Sequence, residues 1–201
     1  AEAKNQEEPL IPMRNEKSPS ACPLCGGLKF SDFENIESFG FPINYLLCQN
    51  CGFVFQDPQS SQAADPDFYQ KTYRQIYQES PEPTPKDLYQ QTQRAKNQVE
   101  WLKSLEHKKF TNILDIGASS GMLLETFKKE FGAQVRGVEP GDAYRALAEG
   151  KGIPMHSSIE ALTATQPNRF DLITFMHVLE HLEHPIQTLK QLKEGLLSED
   201  G

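Results

Sequence analysis

The chain has no cysteine outside two close pairs, no long apolar run and no basic tract. Each lack excludes something. No stretch approaches the ~20 apolar residues that a membrane helix needs, so no membrane partner is expected. Residues 1–20 are polar, rich in Glu, Lys, Asn and Pro, and carry no apolar h-region; they read as a disordered tail, not a signal peptide. The net charge is -8, and the clearest basic runs are Lys108-Lys109 and Lys128-Lys129. Affinity for nucleic acid rests on Lys and Arg neutralising phosphates, so a nucleic-acid partner is not expected. Four paired cysteines without a secretion signal favour metal over disulfides and a reducing, cytoplasmic location. What is present, 201 residues with 37% hydrophobic content, suffices for one medium domain plus a small appendage.

The cysteine pairs are Cys22-Pro-Leu-Cys25 and Cys48-Gln-Asn-Cys51, separated by 22 residues. Each pair can chelate from one tight knuckle, and four thiolates complete a tetrahedron around zinc. A segment with few aliphatics can fold around such a site, because metal binding becomes folding free energy. Four thiolates leave no position for water, so the expected zinc is structural. The plain alternative is four free cysteines or redox pairs. Gly26-Gly27 and Gly52 follow the second cysteine of each pair, where glycine permits a turn that aims backbone amides at the sulfurs.

Four regions are expected: the tail at 1–20, a zinc-binding module at 21–58, a helical linker or lid at 59–107 and an α/β core at 108–201. Residues 39–47 alternate well enough for a strand. A short helix and linker are expected over 59–85. Residues 86–105 read as an amphipathic helix, with Leu88, Ala95, Val99, Leu102 and Leu105 at helical spacing. Strands at 112–116, 134–138 and 153–156 then alternate with helices at 122–131 and 142–150. An apolar run at 170–177 precedes a helix at 185–197, with Pro in its first turn. Such alternation means a parallel sheet covered on both sides. The chain stops in a turn at Ser198-Glu199-Asp200-Gly201. Another strand is expected there, so the sheet is expected to be C-terminally incomplete, with the 170–177 strand near an open edge.

Within the core, Asp115-Ile-Gly117-Ala-Ser-Ser-Gly121 follows a strand and opens a helix. Gly117 lets the backbone turn sharply against a ligand, and Gly121 lets the helix start close to it with free amides facing in. A second strand ends in Gly137-Val-Glu139-Pro140, where an acidic side chain can accept hydrogen bonds from two ribose hydroxyls. The loop alone is weak evidence, since strand-to-helix turns often need glycine. Loop, helix and Glu139 in order are stronger.

These motifs, with Phe170-Asp-Leu-Ile-Thr-Phe-Met-His-Val-Leu-Glu-His181, resemble the class I S-adenosylmethionine-dependent methyltransferases. The cysteine module resembles the one preceding this core in bacterial sugar C-methyltransferases. The resemblance implies a Rossmann-like methyltransferase sheet behind a small zinc-binding module. It implies that Gly117, Ala118, Ser119 and Gly121 line the methionine part of the donor and that Asp115 supports the loop. Glu139, followed by Pro140, would hold the ribose, and Ser158 lies in the segment facing adenine. Two departures stand out: Ser119 replaces the middle glycine of the common loop, and the usual acidic residue of the adenine segment is not evident. A nicotinamide fingerprint needs Gly-x-Gly-x-x-Gly with space for a pyrophosphate; the spacing here is Gly-x-x-x-Gly, and S-adenosylmethionine has no pyrophosphate to accommodate, which favours the methyl donor.

Four of the five histidines lie between His156 and His184, three of them within eight residues. His-x-x-Glu-His also matches a reversed zinc-protease motif, but that requires a long helix where a strand end is expected. A histidine at a strand end suits proton removal from an acceptor. The resemblance puts His181 first and His177 second, with His177 also near the donor; Glu180 would orient an imidazole or bind substrate. The plain alternative is that the cluster caps the following helix. Tyr73 or Tyr77 would close over the site by the same resemblance, although aromatic clusters more often pack. The expected function is methyl transfer to a small-molecule acceptor, such as a nucleotide-linked sugar. A zinc-finger RNA methyltransferase and a non-catalytic zinc- and cofactor-binding scaffold are the alternatives.

Overall fold

A bulge decides how the first strands read. The computed structural model describes residues 21–38, 41–57, 82–105, 109–165, 167–179, 182 and 184–201. They belong to two units, Ala1–Ser61 and Gln62–Gly201. In the first, β1 (Phe30–Ser38), β2 (Phe41–Cys48) and β3 (Val54–Gln56) form an antiparallel sheet in the order β1-β2-β3. The expected strand at 39–47 corresponds to β2. The strand β1 was not expected, because its register slips between Asp32 and Glu34. The extra residue breaks the two-residue alternation, and Phe30, Phe33 and Ile36 fall three apart, a spacing closer to a helix. The small core joins Cys22, Leu46, Cys48 and Phe55, with Phe30 and Phe53 packed on it.

In the second unit, Thr84 caps α1 (Pro85–Ser104): its hydroxyl accepts from Asp87 N at 3.2 Å, and Pro85 starts the helix. Ala95 and Val99 are buried, whereas Leu105, expected to face inward, is 56% exposed. There follow β4 (Asn112–Ile116), α2 (Met122–Phe131), β5 (Gln134–Val138), α3 (Asp142–Gly150) and β6 (Met155–His156). Next come α4 (Ile159–Ala164), β7 (Leu172–Phe175) and α5 (Pro185–Gly195). The strands are parallel, in the order β6-β5-β4-β7. This is the parallel α/β sheet that the alternation implied and the Rossmann-like sheet that the resemblance implied. Ile113 packs on one face with α1 and α2, through Val99, Leu124 and Phe127. Leu114 and Ile116 pack on the other, with Leu162, Phe170, Leu192 and Leu196.

The strand β6 is shorter than expected, and α4 is a helix that periodicity did not reveal. Six residues are too few for a clear repeat, and α4 depends on its cap: Ser158 Oγ accepts from Ala161 N at 3.1 Å. The apolar run at 170–177 contributes only four strand residues, on one edge of the described sheet. Asp171 fastens its start to β4, accepting from Thr111 N at 2.7 Å and Asn112 N at 3.1 Å. Among the described residues no helix is long and apolar enough to cross a membrane.

Candidate functional site

The four cysteine sulfurs lie within 4.8 Å of one another. Two knuckles bring them there. Gly26 N donates to Cys22 O and Gly52 N to Cys48 O, both at 2.9 Å, with both glycines left-handed. Sulfurs ~2.3 Å from a tetrahedral zinc stand ~3.8 Å apart. Cys22 and Cys51 are 3.8 Å apart, and Cys25 and Cys48 3.6 Å. Asn50 Nδ2 and Gly27 N each donate to Cys25 Sγ at 3.4 Å, and these donors hold that thiol down to about 6. At Cys51 the Phe53 amide pulls the other way, but desolvation and the three neighbouring thiols push it up to about 12. Crowded sulfurs ionise together only when a cation neutralises them, so the donor set fits zinc in both spacing and chemistry.

The second site forms where β4, β5 and β7 end. At Gly117 φ is +75°, and an added Cβ would stand 2.2 Å from Val178 Cγ2. The turn therefore needs glycine for its conformation and for the approach of the segment after β7. Gly117 N and Ala118 N donate to Val138 O at 2.8 and 2.9 Å, tying the loop to the end of β5. Ser119 takes the left-handed conformation with φ 49°. Its N–H donates to Glu139 Oε2 at 2.9 Å. Gly121 caps α2 but does not line the cavity. Its missing Cβ makes room for Ala148 and Ile153, each of which would be 2.9 Å away.

Two buried carboxylates lie beneath this loop. Glu139 accepts from Ser119 N and, through Oε1, from Gly141 N at 2.8 Å. A carboxylate has acceptor capacity beyond two donors. Asp115 accepts from Thr174 Oγ1 at 2.6 Å. Burial pushes its carboxyl up to about 7; the Thr174 hydroxyl opposes the rise and the Glu139 charge adds to it.

A cavity of about 730 Å³ opens here. Of the expected residues, Asp115, Gly117, Ala118, Ser119, Glu139, Pro140, Ser158 and His177 all line it. Ser158 spends its hydroxyl on the α4 cap. His177 is exposed, with φ 57°, an uncommon conformation for a residue with a side chain. His184 sits at the N-cap of α5 without a side-chain capping bond. Tyr73, Tyr77, Glu180 and His181 lie outside the described residues.

One wall of the cavity was not expected from the sequence. Asp87, Gln91, Arg94 and Gln98 recur every three or four residues on α1 and line the cavity. Their spacing was visible, but a polar helical stripe ordinarily reads as solvated. Arg94 is the only Lys or Arg among the described lining residues.

Residues 89–201 match the family model described as "Methyltransferase domain". The chain belongs to this family. Among curated proteins, the ubiquinone biosynthesis O-methyltransferase of Nitrosospira multiformis is 37% identical over 90 residues, covering 41% of this chain and 37% of that protein. The protein of the same name from Actinobacillus pleuropneumoniae is 34% identical over 100 residues, covering 44% and 42%. The chain thus spans about two fifths of the length of these relatives. Among solved structures, magnesium protoporphyrin IX methyltransferase from Synechocystis PCC 6803 with bound SAM aligns with a TM-score of 0.45 at 19% identity, covering 65% of this chain and 69% of that one. The methyltransferase-domain match spans all of β4–β7 and every lining residue of the cavity except Asp87.

Proposed function

We propose that this chain carries the donor-binding core of an S-adenosylmethionine-dependent methyltransferase acting on a small-molecule acceptor. One observation carries the reading: the Gly117–Ser119 turn and Glu139 share the rim of one cavity at the carboxyl ends of parallel strands. Ligands bind at that place in open α/β sheets. In this reading Glu139 accepts from the ribose hydroxyls, and the turn at 117–119 faces the methionine part. Pro140 and Ser158 border the adenosine. Arg94 receives the donor's carboxylate. Asp115 stays beneath the loop as its support.

The reaction is an in-line displacement. A nucleophile on the acceptor attacks the methyl carbon, the carbon–sulfur bond breaks with its electron pair going to sulfur, and the thioether departs. The acceptor's proton passes to a histidine, His181 or His177. Positioning supplies most of the rate, with one deprotonation added. Glu180 orients an imidazole or contacts substrate, and Tyr73 or Tyr77 closes over the acceptor. A nucleotide-linked sugar is the acceptor we favour, supported by the cysteine module ahead of the core. In that module Cys22, Cys25, Cys48 and Cys51 hold a structural zinc with no open position for chemistry.

Calorimetric titration of the zinc-loaded chain with S-adenosylmethionine tests the reading. We expect saturable binding, weakened about a hundredfold by Glu139→Ala through loss of charge-assisted hydrogen bonds. An absence of binding by the folded chain rejects it.

A further inference from the structure

A chain of side-chain hydrogen bonds leads from α3 through α1 to the glycine loop. Tyr144, fully buried on α3, donates its hydroxyl to Asp87 Oδ2 at 2.8 Å. Gln91 Nε2 donates to Asp87 Oδ1, also at 2.8 Å. Gln91 Oε1 in turn accepts from Ser120 Oγ at 2.6 Å. Ser120 has no solvent exposure. Its neighbour Ser119 is the residue that holds a left-handed backbone without being glycine and donates its amide to Glu139. That conformation is costly for a residue with a side chain, so something adjacent must hold it.

We propose that Gln91 is a positioning residue: through Ser120 it holds Ser119 in the turn that presents the Ser119 amide to Glu139. The chain Tyr144–Asp87–Gln91–Ser120 replaces, by tethering, the conformational freedom that glycine would supply at position 119. Asp87 sets the orientation of the Gln91 amide, since its carboxylate can only accept and so fixes which end of Gln91 faces Ser120. Linked bonds of this kind polarise one another, and a buried member left unpaired loses its partner at full desolvation cost. Gln91 therefore acts on the cofactor rim indirectly, through the shape of the loop.

The inference rests on the loop being the donor site, and its test separates the two. In the ligand-free full chain, amide hydrogen exchange at Ser119 should quicken about tenfold or more in Gln91→Ala and in Ser120→Ala. Leu102→Ala, which thins the packing of α1 away from the loop, should leave Ser119 exchange unchanged. In calorimetry with S-adenosylmethionine, each of the first two variants should raise Kd about tenfold, and the double variant no further. Ser119 exchange unchanged in both single variants overturns the proposal, as does a double variant whose Kd rises about a hundredfold, the product of two independent effects. Should the unmodified chain fail to bind the donor, the functional reading falls and Ser119 exchange alone decides the tether.

Discussion

Replacing Gly117 with alanine should be more harmful than losing a glycine from an open turn, and combining it with Val178→Ala should cost less than the two losses summed. The added Cβ would stand 2.2 Å from Val178 Cγ2 and 3.5 Å from Val178 Cβ. Carbon atoms rest at about 3.5–4.0 Å, so the methyl must retreat by more than an ångström. Overpacking of that kind costs about 1–3 kcal/mol. The left-handed backbone at φ +75° adds about 1–2 kcal/mol for any side chain. Gly117→Ala should therefore lose about 2–5 kcal/mol. Val178→Ala alone removes two methyls from a half-buried side chain and should cost about 1–2 kcal/mol. It also removes Cγ2, the atom in the way. The double variant should then lose only the backbone strain plus the lost packing, about 2–4 kcal/mol, with a favourable coupling of about 1–3 kcal/mol. Urea unfolding with an unchanged m-value reads all four corners of the cycle. Additive losses would refute the steric account, and so would a Gly117→Ala cost no larger than the backbone strain alone.

Two further outcomes are expected. Native mass spectrometry should find one zinc per chain, and Cys25→Ser should hasten its loss to a chelator; a metal-free folded chain would remove the zinc assignment. The buried Asp115 has its pKa raised from 3.8 to about 7, so the folded state binds its proton more tightly than the unfolded state. Its contribution is complete below pH ~4 and is lost as pH rises through ~7, about 4 kcal/mol in all as an upper figure. Asp115→Asn should flatten the pH dependence of unfolding in that window, and an unchanged profile would show that Asp115 is not protonated there.

The core was legible because each signal was local. Asn112–Ile116 is a short, mostly apolar run, Gln134–Val138 places valines in a segment that follows a helix, and Met122–Phe131 repeats its leucines and phenylalanines at helical spacing, so the strands and helix emerge at the expected residues. Short spacing also pairs the cysteines, and the sulfurs duly converge. The losses have equally local causes. The bulge at Asp32–Glu34 scrambles the alternation of β1. The helix α4 depends on one capping serine. Leu105 keeps helical spacing yet lies past the last residue of α1 and stays exposed.

The fold class, the order of the motifs and the residue types at the loop are readable from the residues alone, because periodicity, caps and glycine positions are written within a few neighbours of one another. The folded arrangement shows that Gly117 is needed to admit Val178, that Gly121 serves packing, and that the polar stripe of α1 is a cavity wall. It alone tied Gln91 to Ser120 across 29 positions of chain. Those facts depend on which distant surfaces meet, and no local pattern encodes a meeting of that kind.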